Sequence, residues 1–355
     1  MTAPLISICL PNLNTRPFLE ERMDTILAQT FTDWELIVCD SHSDDGSWEF
    51  FQKFKDDPRI QLHQVPRAGV YAGWNECLRR ANAEYIYLAT SDDTAGPQAL
   101  EKLVAPLEKL AGISIAVCDY QAIDEDGRPQ PGILEEPKRR FLDHWLQTPS
   151  IRNGKTEFLL HACFGTFWGS MTAVLFRKKL LPQIGYFRTN RGSQADVEWS
   201  MRASLVSDVA FVPGKLATWR IRKGQATVAE GYDWRFVQVI LDSLRAVLHD
   251  PAVGIPAEWK HVPGWEREIS AVWRAEYRDG FHLYRGAARR QPGQFLRNLV
   301  SALYHEPGWL LHQATTGFRW SEELNPDHAL AARQLIELFH APWPPQLADR
   351  DMVLR

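Results

Sequence analysis

No stretch of this 355-residue chain approaches the ~20 consecutive apolar residues that a membrane span requires. A basic field is lacking as well. The 40 Lys and Arg against 44 Asp and Glu leave a formal net charge of -4, which argues against nucleic acid as a partner. The five cysteines (Cys9, Cys39, Cys77, Cys118 and Cys163) contain no CxxC pair, so neither a disulfide framework nor a zinc site is expected. Cys9, Cys39 and Cys118 fall in apolar strand-like runs and read as small hydrophobes, and a reducing cytoplasm is the expected compartment. The opening "MTAPLISICLPN" has no basic segment ahead of an apolar run that stops at Pro11, so it is not expected to act as a secretory signal. Internal repeats and low-complexity tracts are missing too. What is there is 45% hydrophobic and 24% charged, ordinary for a globular protein, and long enough for about two domains or one with a large extension.

Over residues 5–118, short apolar runs alternate with helical patterns. "LISICL" (5–10), "WELIVC" (34–39), "RIQLHQV" (59–65), "YIYLAT" (85–90) and "SIAVCD" (114–119) predict five strands. Between them, segments 16–29, 47–54, 69–81 and 97–110 carry helical spacing. This alternation argues for an α/β chain with a mostly parallel wound sheet and right-handed crossovers. The rhythm fades over 120–160, where "DEDGRPQPG" (124–132) is turn-rich and "KRRFLDHWLQ" (138–147) predicts a short surface helix. It returns with a strand and helix over 171–187, a helical "DVEWSMRASLV" (196–206), and strands at 208–212 and 216–221. From about residue 232 the pattern is helical, with seven of the fourteen tryptophans, so 231–355 reads as a C-terminal helical extension.

Open α/β sheets bind ligands at the carboxyl ends of their strands. The turn after the first strand, "PNLNTRP" (11–17), has no glycine, which sets a dinucleotide fold aside. The second strand ends in "VCDSHSDDGS" (38–47), so Asp40 stands at the mouth of the sheet. It can accept from a base N–H or cap its own turn. The fourth strand runs into "ATSDDTAG" (89–96), where Asp92 and Asp93 can cap the next helix or hold a cation on a phosphate.

Taken together, "SICLPNLN", "ILAQTFTDWELIVCDSHSDDGS", "GVYAGWNECLRRANAEYIYLATSDD" and the later "DVEWSMR" resemble the family 2 glycosyltransferases of the GT-A fold, over roughly residues 5–227. The resemblance implies an inverting transferase domain over 1–230, with a nucleotide-binding half (1–120) and an acceptor half (121–230). It puts Pro11, Asn14, Asp40, Gly69, Tyr71, Asn75, Ser91 and Asp92 around a nucleotide-diphospho-sugar, with UDP the expected nucleotide. Asp93 becomes the ligand of a Mn²⁺ or Mg²⁺ ion that neutralises the leaving diphosphate. Asp196 becomes the general base, with Arg202 as its partner and Glu198 as the fallback. The same resemblance implies a saccharide or lipid-linked acceptor and a role in making polysaccharide or bacterial cell-surface glycan.

Several positions depart from the family pattern. Ser41 and His42 replace an Asp and a Gly, and Trp74 stands where a cation is common. Arg222 replaces the histidine that often completes the metal site, so Arg222 and Lys223 can supply charge to phosphate themselves. His161 reads as structural, and Trp168 as either core or a sugar-stacking ring. Arg274, Arg278, Arg285 and Arg289 lie near helical spacing, as the wet face of a helix or as a contact to an anionic lipid-linked acceptor or the inner face of a membrane. The tryptophans of the extension suit a helical core or a homo-oligomer contact. Two other classes compete with the transferase: a non-catalytic sugar-nucleotide-binding scaffold, and a nucleotidyltransferase, which would be expected to carry a glycine-rich basic loop after the first strand.

Overall fold

The structure, a computed structural model, describes residues 3–130, 135–223, 225, 234–278, 292–316 and 327–348. Strands β1 (Ile6–Asn12), β2 (Trp34–Asp40) and β4 (Tyr85–Leu88) are buried along their whole length, as continuous apolar runs in a sheet covered on both faces require. β3 (Ile60–Gln64) pairs parallel to β2, and β1 pairs parallel to both β2 and β4. The crossovers are helices α1 (Leu19–Leu27), α2 (Ser47–Phe51) and α3 (Val70–Arg80), with α4 (Ala99–Lys109) following β4. This half follows the alternation in the sequence.

The second half departs from it. The full order is β3-β2-β1-β4-β7-β5-β8-β6-β9. β7 (Val174–Arg177) inserts antiparallel between β4 and β5 (Ile115–Ile123), so the fifth strand does not continue the parallel run beside the fourth. The two strands expected at 208–212 and 216–221 are one, β8 (Val209–Arg220), parallel to β5. Register shifts beside Asp119 absorb its Pro213–Gly214 interruption. The stretch that lost its rhythm holds α5 (Glu135–Leu142), strand β6 (Ser150–Arg152) and helix α6 (Gly154–Phe164). Almost every α6 residue is buried, so the helix shows no polar stripe by which to find it. α7 (Leu181–Ile184) and α8 (Ala195–Ser204) complete the α/β part.

Beyond residue 233, helices Trp234–Leu248, Pro292–His305, Pro307–Thr316 and His328–Leu338 follow, and β9 (Gln346–Leu347) returns to pair with β6. The core on one sheet face runs without a break from Trp74, Phe176 and Trp199 to Leu244, Val247, Trp259 and Phe339. Each such large apolar side chain contributes about 1.5–3 kcal/mol by leaving water. All five cysteines are buried and unbridged. No helix among the described residues is long and apolar enough to cross a membrane. Arg285, Arg289 and Trp320 lie outside the described residues. Arg274 turns to an ion pair with Glu306 at 2.5 Å, and Arg278 donates through Nε to the Arg274 carbonyl.

Glycines set several close approaches, two of them at Pro11 and Tyr120. A Cβ on Gly73 of α3 would lie 2.7 Å from Cβ of Pro11, so its absence lets the helix start press against the end of β1. At Gly169, φ is +84° and a Cβ would fall 1.8 Å from a Tyr120 ring carbon. Gly169→Ala is therefore expected to lower stability by about 1–3 kcal/mol through overpacking and backbone strain. Urea denaturation checks this; an unchanged midpoint would show that Tyr120 yields freely.

Candidate active site

The carboxyl ends of β1 and β4 open into a cavity of about 640 Å³. Pro11 of β1, Gly69 and Tyr71 at the start of α3, Ser91, Asp92 and Asp93 after β4, Asp196 of α8 and Arg222 after β8 all line it. No side chain caps the N-terminus of α3, whose N-cap is Gly69. Its first-turn N–H groups, at the positive end of the helix dipole, are therefore available to an anion. On the far side Phe164, Phe236, Ile240 and Trp273 give an apolar wall, the last three from the C-terminal helical region.

The paired aspartates divide sharply. Asp93 is buried, and four donors converge on it. Oδ2 accepts from the hydroxyls of Thr90 (2.5 Å), Ser170 (3.2 Å) and Thr172 (3.2 Å), and Oδ1 accepts from the Arg220 N–H (2.6 Å). Burial first, then the neighbouring Asp92 charge, push its carboxyl up to about 6. Asp92 sits nearer the surface, and its Oδ2 accepts from Nε of Arg222 at 2.6 Å. Arg220 is buried beneath, donating to the carbonyls of Asp92 (2.7 Å), Asp124 (3.1 Å) and Glu125 (3.0 Å) and to Glu21 (2.6 Å).

This donor set does not fit a divalent ion. Asp93 is already used by protein hydrogens and Asp92 carries a guanidinium, so neither carboxylate is open to be shared between a cation and a phosphate. The Mn²⁺ or Mg²⁺ expected at Asp93 is thus not supported by the residues around it. The physical reason is Arg222, a cation delivered by the chain to the carboxylate that a metal would share.

Asp196 opens α8 on the cavity wall. Burial pushes its carboxyl up to about 6, against the pull of the Val197 N–H at 2.8 Å and the Tyr71 hydroxyl. The one hydroxyl hydrogen of Tyr71 goes to the Ser193 carbonyl at 2.8 Å, which holds the start of α3 against the loop before α8. Arg202 is not the partner of Asp196: it forms a two-pronged pair with Glu198, one turn away, at 2.9 and 2.8 Å. Glu198 is fully buried and also paired with Arg188 at 2.8 Å, which removes it as a fallback base.

Other expected residues fall elsewhere. Asp40 is enclosed in its turn, accepting from Asn12 Nδ2 (2.7 Å), Ser43 N–H (2.9 Å) and Ser43 Oγ (2.6 Å). Asn12 and Ser41, not Asp40, reach the wall. Asn14 pairs with Asp44 at 2.8 Å, and Asn75 clamps the backbone of Phe187 at 2.9 and 3.0 Å; neither lines the cavity. Trp74 does line it, with Nε1 tied to the Ala89 carbonyl at 3.0 Å. Trp168 is core, donating to Glu157 at 2.7 Å, and burial pushes His161 down to about 3, so it is a neutral structural imidazole. Sequence reasoning missed Arg220, the aromatic wall and Lys138, which also lines the cavity. An arginine inside the apolar run "LATWRI" was a usable signal, because a buried arginine demands partners.

The fold is the GT-A fold of solved sugar transferases. TarS of S. aureus, crystallised with UDP-GlcNAc, matches with a TM-score of 0.60 at 15% identity, over 95% of this chain and 91% of TarS. The mannosyltransferase PcManGT of Pyrobaculum calidifontis, solved with GDP-Man and Mn²⁺, gives a TM-score of 0.53 at 17% identity, over 96% and 89% of the two chains. Residues 7–175 match the profile of the family described as "Glycosyl transferase family 2". Glycosyltransferase GlyG of Streptococcus pneumoniae is 32% identical over 257 residues, 69% of this chain and 80% of GlyG. The chain belongs to glycosyl transferase family 2. In several other curated relatives the aligned region spans 49% to 67% of the relative's length.

Two outcomes follow from the aspartates. Asp93→Ala strands three hydroxyls and an N–H, so it should cost more than about 2 kcal/mol of stability, and Asp92→Ala clearly less; equal losses by chemical denaturation would contradict this division. A carboxyl whose folded pKa is raised binds its proton more tightly than in the unfolded chain. Its contribution is therefore full below the ordinary carboxylate range and lost as pH rises through about 6. Asp196→Asn should then melt no lower than the unaltered chain at pH 8, and a lower melting temperature would show that the charged form is stabilised.

Proposed function

We propose that this chain moves a sugar from a nucleotide-diphospho-sugar to a hydroxyl of a saccharide or lipid-linked acceptor, with inversion and with Asp196 as the general base. The carrying observation is that Asp196, a carboxyl of raised basicity, shares one cavity with an uncapped helix N-terminus and with Arg222. In the reaction the acceptor oxygen forms a bond to the anomeric carbon, and its proton passes to Asp196. The bond from that carbon to the diphosphate oxygen breaks, and its electron pair leaves with the nucleotide. No covalent intermediate on the protein is needed. The diphosphate is drawn to the first turn of α3 and to Arg222. Asn12 and Ser41, held by the Asp40 turn, face the nucleoside.

The neighbours solved with UDP, UDP-GlcNAc and GDP-Man support a nucleotide-sugar donor, and UDP is our first choice. The apolar wall of Phe236, Ile240 and Trp273 supports an acceptor that presents a sugar face or a lipid-linked group. In this reading residues 1–230 carry the chemistry and 231–355 close the acceptor side. Work on cell-surface polysaccharide at the cytoplasmic face of a membrane, with peripheral contact or self-association through the C-terminal helices, fits the exposed Leu296, Val300, Leu303 and Leu311.

The reading is tested on Asp196. Asp196→Asn is expected to lower transfer by about 10²–10⁴-fold while nucleotide affinity stays unchanged. In the unaltered enzyme kcat/KM should fall about tenfold per pH unit below about 6, where the base takes up a proton before it can act. Substantial transfer by the Asn variant, or a flat profile down to pH 5, would move the base to another group.

A further inference from the structure

Resting on the donor reading above, we propose that the guanidinium of Arg222 does the charge-balancing work otherwise done by a divalent ion, so that nucleoside diphosphate binds this chain without metal. Arg220 and Arg222, two residues apart, both lie over the Phe18 ring, at 5.1 and 5.6 Å from its centroid. Arg220 is buried and spends its guanidinium on Asp92, Asp124, Glu125 and Glu21. It is a structural cation. Arg222 differs: its side chain is 21% exposed on the cavity wall, and Nε alone is bound, to Asp92 Oδ2. Among the described residues, neither Nη1 nor Nη2 has a hydrogen-bond partner.

The consequence is a held fork. Asp92 fixes the guanidinium through one edge and leaves four N–H bonds on the other two nitrogens. That planar array matches two oxygens of a phosphate. Asp92 is a positioning residue here, and Arg222 is the group that touches the donor. A metal between Asp92 and the phosphates would have to displace or sit against this guanidinium, and like charges at that range repel. Asp93 cannot replace Asp92 as the ion's anchor, because its oxygens hold Thr90, Ser170, Thr172 and the Arg220 N–H. The uncapped start of α3 on the same cavity adds a second, fixed source of positive potential.

The test is calorimetric titration of the full chain with UDP and with GDP, once in EDTA and once in Mn²⁺. The expected result is a nucleotide affinity that agrees within about threefold between the two conditions. Arg222→Ala should weaken it at least about tenfold, as loss of a charge-assisted hydrogen bond does, and Arg222→Lys should recover part of that loss. The EDTA and Mn²⁺ comparison needs no variant, so the inference stays exposed even if a substitution misfolds. Binding that appears only with Mn²⁺, or that Arg222→Ala leaves intact, overturns the inference while the donor reading stands. Failure of both nucleotides to bind under either condition overturns the two together.

Discussion

Three strand ends are tied by one buried carboxylate. Asp93 follows β4, takes the hydroxyls of Ser170 and Thr172 from the segment leading into β7, and takes the Arg220 N–H at the end of β8. These strands stand in the order β4-β7-β5-β8, and the segment after β4 also bridges to β8 at Ala95–Ala217, with the Thr218 N–H donating to the Thr94 carbonyl at 3.0 Å. A lone ionised carboxyl in such a place would be prohibitively costly, and four donors make it tolerable. The residual cost shows as a carboxyl raised to about 6. Asp92 and the arginine it meets are positioned beside this knot. Asp92 projects from it, Arg222 reaches Asp92 because Arg220 is locked two residues before, and the wall between them acquires a fixed cation.

The cavity has two chemically distinct sides. One is polar: the start of α3, Asp92 with Arg222, and the Asn12–Ser41 edge. The other is aromatic and aliphatic, and much of it comes from residues 236, 240 and 273, which share a core with the helices behind them. Asp196 stands on the same wall, steadied through Tyr71 and the Ser193 carbonyl, while Glu198 and Arg202 on the inner face of α8 serve only to anchor the helix. Adjacent carboxylates on one short helix thus have opposite fates. Glu198 meets two arginines and is structural, and Asp196 meets a cavity and keeps a raised proton affinity.

The parallel half of the fold was legible because strands buried on both faces must be apolar throughout, and the helices between them are amphipathic. The strand of β7 was legible within 171–187, but its antiparallel insertion was not, since that depends on partners about 60 to 90 residues away and leaves no local mark. α6 escaped because a helix apolar on every side loses the 3.6-residue stripe. At the site, Asp92, Asp93, Gly69, Tyr71, Asp196 and Arg222 were legible as polar residues at strand and helix ends. Their division of labour was not. Which aspartate is buried depends on Ser170, Thr172 and Arg220, all remote in sequence, and Asp40 is enclosed by Asn12 and Ser43.

The central claim is that a carboxylate knot and the guanidinium it positions, rather than a protein-held ion, shape the donor side of this family 2 glycosyltransferase. Diffraction from crystals soaked with UDP and Mn²⁺, collected at the manganese edge, tests it most directly. The account predicts diphosphate density between Arg222 and the first turn of α3, with no anomalous peak beside Asp92 or Asp93. A manganese peak bridging Asp93 and the phosphates, with Arg222 swung away from Asp92, would contradict it.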